Sequence, residues 1–91
     1  MKYTIETSTR FKRDYKLMKK RGCNMKLLKE AIDILASDEQ LPEKYLDHPL
    51  MGEYKGMREC HIEPDWLLVY RKEKERLILA LARTGTHSDL F

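Results

Sequence analysis

The chain has 91 residues, of which 42% are hydrophobic and 36% are charged, and its formal net charge is +3 at pH 7. This length is typical of one domain with a modest core, because a chain of this size buries only roughly 60–65% of its unfolded surface. It contains no run of 18 apolar residues, which excludes a membrane-spanning helix, and its first residues lack the apolar stretch of a signal peptide.

The two cysteines, Cys23 and Cys60, form neither a close pair nor a metal-ligand spacing. We interpret both as free thiols and therefore expect the protein in a reducing cytoplasm. A disulfide between them is the alternative that the sequence leaves open.

The positive charge is concentrated in the first third of the chain. Residues 1–30 carry ten Lys and Arg against three acids (+7), whereas residues 31–91 carry eight against twelve (−4). Seven basic residues fall within one twelve-residue stretch: Arg10, Lys12, Arg13, Lys16, Lys19, Lys20 and Arg21. Such a cluster indicates binding to a polyanion such as RNA. A solvated helix face is the alternative.

The N-terminal third predicts a short strand followed by two helices. Residues 2–6 resemble a strand, and Ser8 is a suitable N-cap for a helix that ends near Gly22. Asn24 can cap a second helix that runs to about residue 36. The buried stripe of the first helix is predicted at Phe11, Tyr15 and Met18. The wide apolar face of the second helix is formed by Leu27, Leu28, Ala31, Ile32 and Leu35.

The middle of the chain predicts a loop and then a hairpin. Residues 37–49 have no clear period and are predicted as a loop, followed by a short strand around Leu50 and a turn at Gly52. Residues 58–70 predict two strands joined by a turn at Pro64 and Asp65. Alternation on the first strand places Arg58, Cys60 and Ile62 on one face, and the polar residues Glu59, His61 and Glu63 on the other. The hairpin would therefore hold His61 and Asp65 within reach of solvent.

The C-terminal part predicts one more strand and a short tail. Residues 72–75 are predicted as a charged turn. Residues 77–82 are apolar without alternation, which favours a central strand over the competing helix because the segment is short. Gly85 permits a sharp turn before His87. The terminal Phe91 is either a hydrophobic anchor or a stacking platform.

These elements predict an α+β fold in a single domain of residues 1–91. Two N-terminal helices would pack on one face of a small twisted, mainly antiparallel sheet, and the N-terminal strand would join the sheet at one side. The other face of the sheet would stay open for a substrate or partner.

The segments DHPLMGEYKGMRECHIEPDWLLVY and RTGTHSDLF, in this order and at these separations, resemble the YafQ branch of the RelE-type toxins. These are small bacterial ribonucleases of type II toxin–antitoxin systems, and the resemblance covers nearly the whole chain. It implies cleavage of mRNA in the ribosomal A site without a cofactor. It also implies a small antitoxin partner, of ribbon-helix-helix type, with an acidic segment that binds the toxin.

The resemblance also implies the site residues. The family's catalytic set falls on His48, His61, Asp65, His87 and Phe91, with Arg83 as the basic residue beside it. One position departs from the pattern, because Glu59 stands where the family's better-known member has aspartate.

The chemistry of RNA cleavage suits these residue types. The RNA supplies its own nucleophile, the 2′-hydroxyl, so a metal-free nuclease needs a base, an acid and donors for the phosphorane charge. Histidine fits the first two tasks near neutral pH. We expect His61 or His48 as the base and His87 as the acid, with Asp65 orienting a histidine. Arg83 would stabilise the phosphorane, and Phe91 would stack on a base.

Two alternatives stay open at this point. The three histidines could bind a metal ion, although their separations of 13 and 26 residues match no zinc signature. The chain could also be a non-catalytic RNA-binding or protein-interaction module on the same scaffold, since the basic helix alone would serve that purpose.

Overall fold

The computed structural model describes residues 2–91. Only residue 1 of the predicted domain lies outside this part of the chain. In chain order the elements are strand β1 (Thr4–Thr7), helices α1 (Thr9–Lys20) and α2 (Met25–Ala36), strands β2 (His48–Pro49), β3 (Arg58–Glu63), β4 (Trp66–Glu73) and β5 (Ile78–Gly85), and a short helix α3 (His87–Leu90). None of the helices within residues 2–91 is long and apolar enough to cross a membrane.

The five strands form one sheet in the order β1-β5-β4-β3-β2. β1 lies parallel to β5, and the other three pairs of neighbours are antiparallel. The predicted α+β fold is therefore confirmed, including the N-terminal strand at one side of the sheet.

The main core lies between the two long helices and one face of the sheet. The helices contribute Phe11, Met18, Leu28, Ala31 and Leu35. The sheet contributes Cys60, Ile62, Trp66, Leu68, Tyr70, Leu79 and Leu81. Both cysteines are free thiols, as predicted, and burial raises the pKa of Cys60 to about 12, which makes it unreactive.

Both predicted helix starts are confirmed. The Ser8 hydroxyl accepts a hydrogen bond from the amide of Phe11, and the Asn24 side chain accepts one from the amide of Lys26. Gly22 follows the end of α1 with a φ of +84°, the left-handed conformation that ends many helices.

The buried face of α1 differs from the prediction. Tyr15 is 38% exposed, whereas Asp14, which the apolar period does not include, is buried. Asp14 is turned inward because β5 offers it hydrogen-bond donors there, namely the Arg83 side chain and the amide of Thr84.

Several boundaries predicted for the second half are wrong. The loop of residues 37–49 contains a 3-10 turn at Glu43–Tyr45, and a two-residue strand forms at His48–Pro49 and not around Leu50. β4 continues into the predicted turn as far as Glu73, and β5 continues to Gly85. Pairing with β5 extends β4 despite its charged residues, because Lys72 and Glu73 face Leu79 and Ile78 across the ladder.

The second face of the sheet is only partly open, contrary to the prediction. Leu67, Val69 and Leu90 form a small buried cluster there, packed against Leu50, Tyr54, Met57 and Ala82. Helix α3 and the segment around the 3-10 turn Gly52–Tyr54 thus cover part of this face, and the polar side chains of β3 lie beside that cover.

Candidate active site

The turn between β3 and β4 places two of the predicted site residues. Pro64 and Asp65 form this turn, as predicted, and Asp65 is exposed. Nδ1 of His61 lies 3.1 Å from the carbonyl oxygen of Pro64. Because a carbonyl oxygen only accepts hydrogen bonds, this contact fixes the proton of the neutral His61 ring on Nδ1.

Asp65 joins the hairpin to helix α3. Its Oδ1 lies 2.9 Å from Nδ1 of His87 and accepts a hydrogen bond from the backbone amide of His87 at 3.1 Å. The hydrogen bond from the His87 side chain, followed by that from its amide, lowers the pKa of Asp65 below its usual range. Asp65 is therefore a carboxylate that holds the ring and the amide of His87.

His48 is held against β3 by a buried acid. β2 pairs with β3 so that His48 faces Glu59, and His48 Nε2 lies 3.0 Å from Glu59 Oε2. On the other side of the ring, Nδ1 lies 2.6 Å from the carbonyl oxygen of Leu46. The face of β3 that was predicted to be polar and open therefore buries one of its members, because β2 covers Glu59.

The residue before His48 anchors this segment to the sheet. The Asp47 carboxylate accepts hydrogen bonds from the hydroxyl of Tyr70 at 2.5 Å and from the guanidinium of Arg58 at 3.2–3.3 Å. Burial and the Asp47 carboxylate raise the pKa of the Tyr70 phenol far above its usual range, so that it remains a donor.

The imidazole and aromatic rings form one row across the site. Ring centroids are 6.2 Å apart between His48 and His61, 6.0 Å between His61 and His87, and 6.4 Å between His87 and Phe91. Phe91 then meets Tyr54 edge to face at 5.6 Å. The structure thus brings together three predicted histidines that are separated by 13 and 26 residues in the sequence.

Arg83 is not a free cation at this site. Its Nε and Nη2 lie 2.7 and 3.1 Å from the two oxygens of Asp14, and its side chain is 17% exposed. The hydrogen bond to Asp14 raises the pKa of Arg83 above its usual range, with a smaller contribution from Tyr54. The guanidinium is therefore permanently charged but largely compensated by its acidic partner.

Helix α3 is held by a network around Asp89. Thr86 and Asp89 form a reciprocal capping box, and Arg21 at the end of α1 binds both oxygens of Asp89 at 2.7 and 3.2 Å. Gly85 permits the close approach, because a Cβ on it would lie 3.0 Å from Asp89. This network fixes the position of His87, which is the first residue of α3, and of Phe91, which follows its last residue.

The predicted RNA-binding residues lie on the surface of α1 and at its end. All seven are exposed. Within residues 2–91 only Arg21 of this set forms a salt bridge, which leaves six cations uncompensated along one helix. The positive surface predicted from the sequence is therefore present.

Sequence patterns did not predict a role for Asp14, Tyr54, Thr86, Asp89 or Glu59. Two of these residues had a readable signal, because Thr86 and Asp89 have the spacing of a capping box. Asp14 gave a weaker signal, as the one acid within the basic stretch.

No group of three or more His, Cys, Asp or Glu side chains within residues 2–91 has the geometry to hold a metal ion. The row of histidine rings spaces its members about 6 Å apart, and two of the three rings have an acidic partner.

Comparison with known proteins finds similar toxins that match this chain over nearly its whole length. The mRNA interferase toxin YafQ of Escherichia coli strain K12 is 43% identical over 88 residues, which cover 96% of this chain and 94% of that protein. A crystal structure of a metal-bound toxin from Helicobacter pylori has a TM-score of 0.92 at 48% identity, covering 98% of this chain and 99% of that one. The crystal structure of the E. coli DinJ–YafQ complex has a TM-score of 0.89 at 42% identity, covering 98% of each chain.

The family model that matches residues 3–91 is described as the bacterial toxin of type II toxin–antitoxin system, YafQ. The match spans β1 to the end of α3 and so includes every residue of the site. The resemblance inferred from the two C-terminal motifs is confirmed, and the predicted enzyme class, an mRNA endoribonuclease, agrees with the name of the E. coli relative. The chain belongs to the YafQ family of type II toxin–antitoxin toxins.

Proposed function

We propose that this protein is a ribosome-dependent mRNA endoribonuclease that inhibits translation in the bacterial cytoplasm as the toxin of a toxin–antitoxin pair. Its mechanism is metal-independent attack of the 2′-hydroxyl on the adjacent phosphate. One observation carries the proposal, namely that the rings of His61 and His87 lie 6.0 Å apart on an accessible surface. In both rings the hydrogen bond to the protein engages Nδ1, which leaves Nε2 for the substrate.

His61 is the better base of this pair. Its Nδ1–H donates to the neutral carbonyl of Pro64, so the lone pair of the neutral ring is on Nε2 and is available to the substrate. None of the acidic side chains in residues 2–91 forms an ion pair with this ring. A neutral histidine with a free Nε2 accepts a proton near pH 7.

His87 is the better acid. The Asp65 carboxylate, 2.9 Å from Nδ1, orients the ring and compensates its positive charge whenever the ring is protonated. The protonated ring presents its Nε2–H to the leaving 5′-oxygen. A phosphate between the two rings would therefore meet a base on one side and an acid on the other.

The neighbouring residues suit a bound nucleotide. Phe91 is 62% exposed and lies 6.4 Å from His87, so its ring offers a face on which a base of the mRNA can stack. This supports stacking over the anchoring alternative. Arg83 keeps its charge at every accessible pH, and it would add to the positive potential near the phosphate although Asp14 compensates much of it.

The partner of this toxin is a cognate antitoxin. The similar E. coli protein is known in a DinJ–YafQ toxin–antitoxin complex, and the uncompensated cations of α1 offer an acidic segment a complementary surface. We expect a small antitoxin of ribbon-helix-helix type whose acidic segment folds on this surface.

The proposal is tested with programmed ribosomes that carry mRNA with one modified sugar at the cleavage position. A 2′-deoxy or 2′-O-methyl sugar should abolish cleavage without weakening binding, because the nucleophile is gone. The unmodified mRNA should give a 2′,3′-cyclic phosphate and a 5′-hydroxyl. Cleavage of the 2′-deoxy mRNA would refute the mechanism. Binding with no cleavage of any mRNA would favour the non-catalytic module.

Two controls separate this chemistry from the metal alternative. Chelator added to the toxin before mixing with ribosomes should leave cleavage unchanged, whereas a metal-activated water would usually leave a 5′-phosphate. His87→Ala should slow the chemical step by roughly 10²–10⁴-fold, the usual effect of one acid–base group.

A further inference from the structure

A pocket opens beside His61 at the edge of the sheet. It has a volume of about 410 Å³ and lies between the end of β3, helix α2 and the 3-10 turn Glu43–Tyr45. This volume is within the range of roughly 300–1,000 Å³ that small-molecule pockets have. The proposed cleavage mechanism uses the ring of His61 but gives no role to the rest of the pocket.

Apolar side chains form one part of the pocket lining, contributed by Leu27, Leu46, Ile62 and Pro64. Leu46 is the unusual member, because it is 61% exposed and has a φ of +49°, in the left-handed region that non-glycine residues seldom adopt. The fold thus holds an apolar side chain in solvent at a cost in backbone strain, and strain of this kind is typical of ligand-binding segments.

Hydrogen-bonding groups form the other part of the lining. Glu30 and Glu63 contribute exposed carboxylates, and within residues 2–91 neither forms a salt bridge. The outer edge of β3 adds main-chain groups, because β2 pairs only with Arg58 and Glu59. Within residues 2–91 no strand lies beside the rest of this edge, which includes the part that lines the pocket.

These groups suit a nucleobase better than a phosphate or an acidic peptide. Carboxylates accept hydrogen bonds and repel anions, so Glu30 and Glu63 require a ligand that carries N–H donors. A base with an exocyclic amino group offers such donors on its edge and an apolar face for Leu46. Uracil lacks the amino group and fits less well. Lys44, whose Nζ lies 5.3 Å from the centroid of the Tyr45 ring, adds a cation for the adjoining sugar-phosphate chain.

The position of the pocket along the site selects one nucleotide. In the proposed mechanism the 2′-hydroxyl lies at His61, and this hydroxyl belongs to the nucleotide on the 5′ side of the cut. The pocket includes His61, whereas Phe91 lies beyond His87, on the side of the leaving 5′-oxygen. The pocket is therefore continuous with the place of the 5′ nucleotide, and Phe91 with that of the 3′ nucleotide.

We propose that this pocket binds the nucleobase immediately 5′ of the cleaved phosphate and prefers a base with an exocyclic amino group over uracil. Leu46 packs on the base, and Glu30 and Glu63 accept its N–H groups. This inference rests on the proposed nuclease function and deepens it, because it gives the enzyme a base preference on one side of the cut. Stacking on Phe91 gives no such preference, since every base has a face that can stack.

The first test needs no cleavage and so separates this proposal from the nuclease activity. Methyl NMR spectra of the free toxin are recorded with adenosine 3′-monophosphate and with uridine 3′-monophosphate at equal millimolar concentrations. We expect the methyl signals of Leu27, Leu46 and Ile62 to shift with the adenosine nucleotide and clearly less with the uridine nucleotide. Leu77, which is exposed outside the pocket, is the internal control. Pocket signals that neither nucleotide moves, or that both move equally, would overturn the proposal even for an active nuclease.

The second test measures kcat/KM for cleavage on programmed ribosomes. Purine riboside differs from adenosine only in lacking the amino group. This replacement immediately 5′ of the cut should lower kcat/KM about tenfold or more, whereas the same replacement 3′ of the cut should have little effect. A preference found only on the 3′ side, or none on either side, would refute the proposal while leaving the cleavage reaction intact.

A double variant, Glu30→Gln with Glu63→Gln, tests the two carboxylates. It should lose most of the discrimination against purine riboside, because an amide can donate a hydrogen bond as well as accept one. The matched control is Glu39→Gln with Glu75→Gln, which changes two exposed acids outside the pocket and gives the same change in net charge. The control should discriminate as the wild type does. Equal discrimination by the two double variants would exclude the carboxylates from base recognition.

Leu46→Asn tests the apolar side chain. Asn tolerates the left-handed conformation and keeps the main-chain carbonyl that contacts His48, so the fold should be retained. KM should rise about 3- to 10-fold with kcat nearly unchanged, because less apolar surface is buried on binding. The matched control is Leu77→Asn, since Leu77 is 41% exposed and has a φ of +52° but lies outside the pocket. An equal rise in KM for the two variants would contradict the role of Leu46. Nucleotide-dependent shifts in a toxin that cleaves no mRNA would refute the nuclease function and still support the pocket.

Discussion

At the residue scale, the three histidines of the site differ in the hydrogen-bond partner of one ring nitrogen. The partner is a neutral carbonyl for His61, an exposed carboxylate for His87 and a buried carboxylate for His48. Identical side chains are thereby held in different ways, since a carbonyl partner fixes the tautomer of the neutral ring and a carboxylate partner can compensate a positive charge.

Asp65→Asn tests the setting of His87. The amide oxygen of Asn can still accept the Nδ1–H, so the substitution removes the charge and keeps the shape. The side chain and the amide of His87 lower the pKa of Asp65, so Asp65 is a carboxylate at neutral pH and holds the His87 ring through a charged acceptor. We expect cleavage to fall about 10- to 100-fold, less than on loss of the acid itself, because the amide holds the ring less firmly than the carboxylate does. Cleavage at the wild-type rate would separate Asp65 from the acid.

At the scale of elements, helix α3 depends on contacts with the rest of the fold for its stability. Four residues cannot form a stable helix alone, because nucleation is unfavourable and few hydrogen bonds follow it. Its geometry comes from the capping box and from the contact between Arg21 and Asp89. The end of the basic helix therefore holds the segment that carries His87 and Phe91. Arg21, predicted from the sequence as an RNA contact, already has this protein partner.

Asp89→Asn tests this contact through its dependence on pH. The hydrogen bond from Arg21, followed by that from the amide of Thr86, lowers the pKa of Asp89 well below its ordinary value of 3.8. A lowered pKa means that the stabilisation is present above pH 3.8 and is lost as the pH falls through the folded-state value. Thermal unfolding should show a lower Tm for the variant at pH 7 and a shrinking difference below pH 3.8.

The control is Asp33→Asn. Asp33 forms an exposed i,i+4 pair with Lys29, and such surface pairs contribute little to stability. Its Tm should stay close to that of the wild type at both pH values. An equal loss in the two variants would show that the Asp89 contact is an ordinary surface ion pair.

At the scale of the whole molecule, the charge is asymmetric in space as well as in sequence. The uncompensated cations lie along α1, while the row of rings lies beside helix α3, which α1 contacts through Arg21. Under the proposed function, α1 would bind the rRNA backbone while the row of rings faces the mRNA. The same surface is available to an acidic antitoxin, so inhibition and ribosome binding would compete.

Reversing Lys12, Lys16 and Lys19 to Glu tests this division. Ribosome affinity should fall, and its salt dependence should flatten by roughly 0.7–0.9 in log–log slope for each phosphate that the helix no longer neutralises. The cleavage position should not change. The matched control reverses Lys26, Lys44 and Lys74, which are exposed outside α1 and give the same change in net charge. If the two triple variants lose affinity equally, the effect belongs to net charge and not to α1.

The sequence by itself determined the elements whose signals are local. The caps at Ser8 and Asn24, the apolar period of α2 and the Pro64–Asp65 turn depend on neighbours within a few residues, and the structure has each of them. The family could also be recognised from two motifs, and the family model that matches residues 3–91 confirms it.

Only the tertiary structure decided what depends on partners distant in sequence. Asp14 is buried because residues 83 and 84 supply its donors, and Glu59 is buried because β2 covers it with His48. No pattern around either acid predicts this, since a helix or strand period reports burial of apolar residues alone. The different hydrogen-bond partners of the three histidines were also decided by the tertiary structure. These hydrogen bonds join segments that come together only when the sheet has formed.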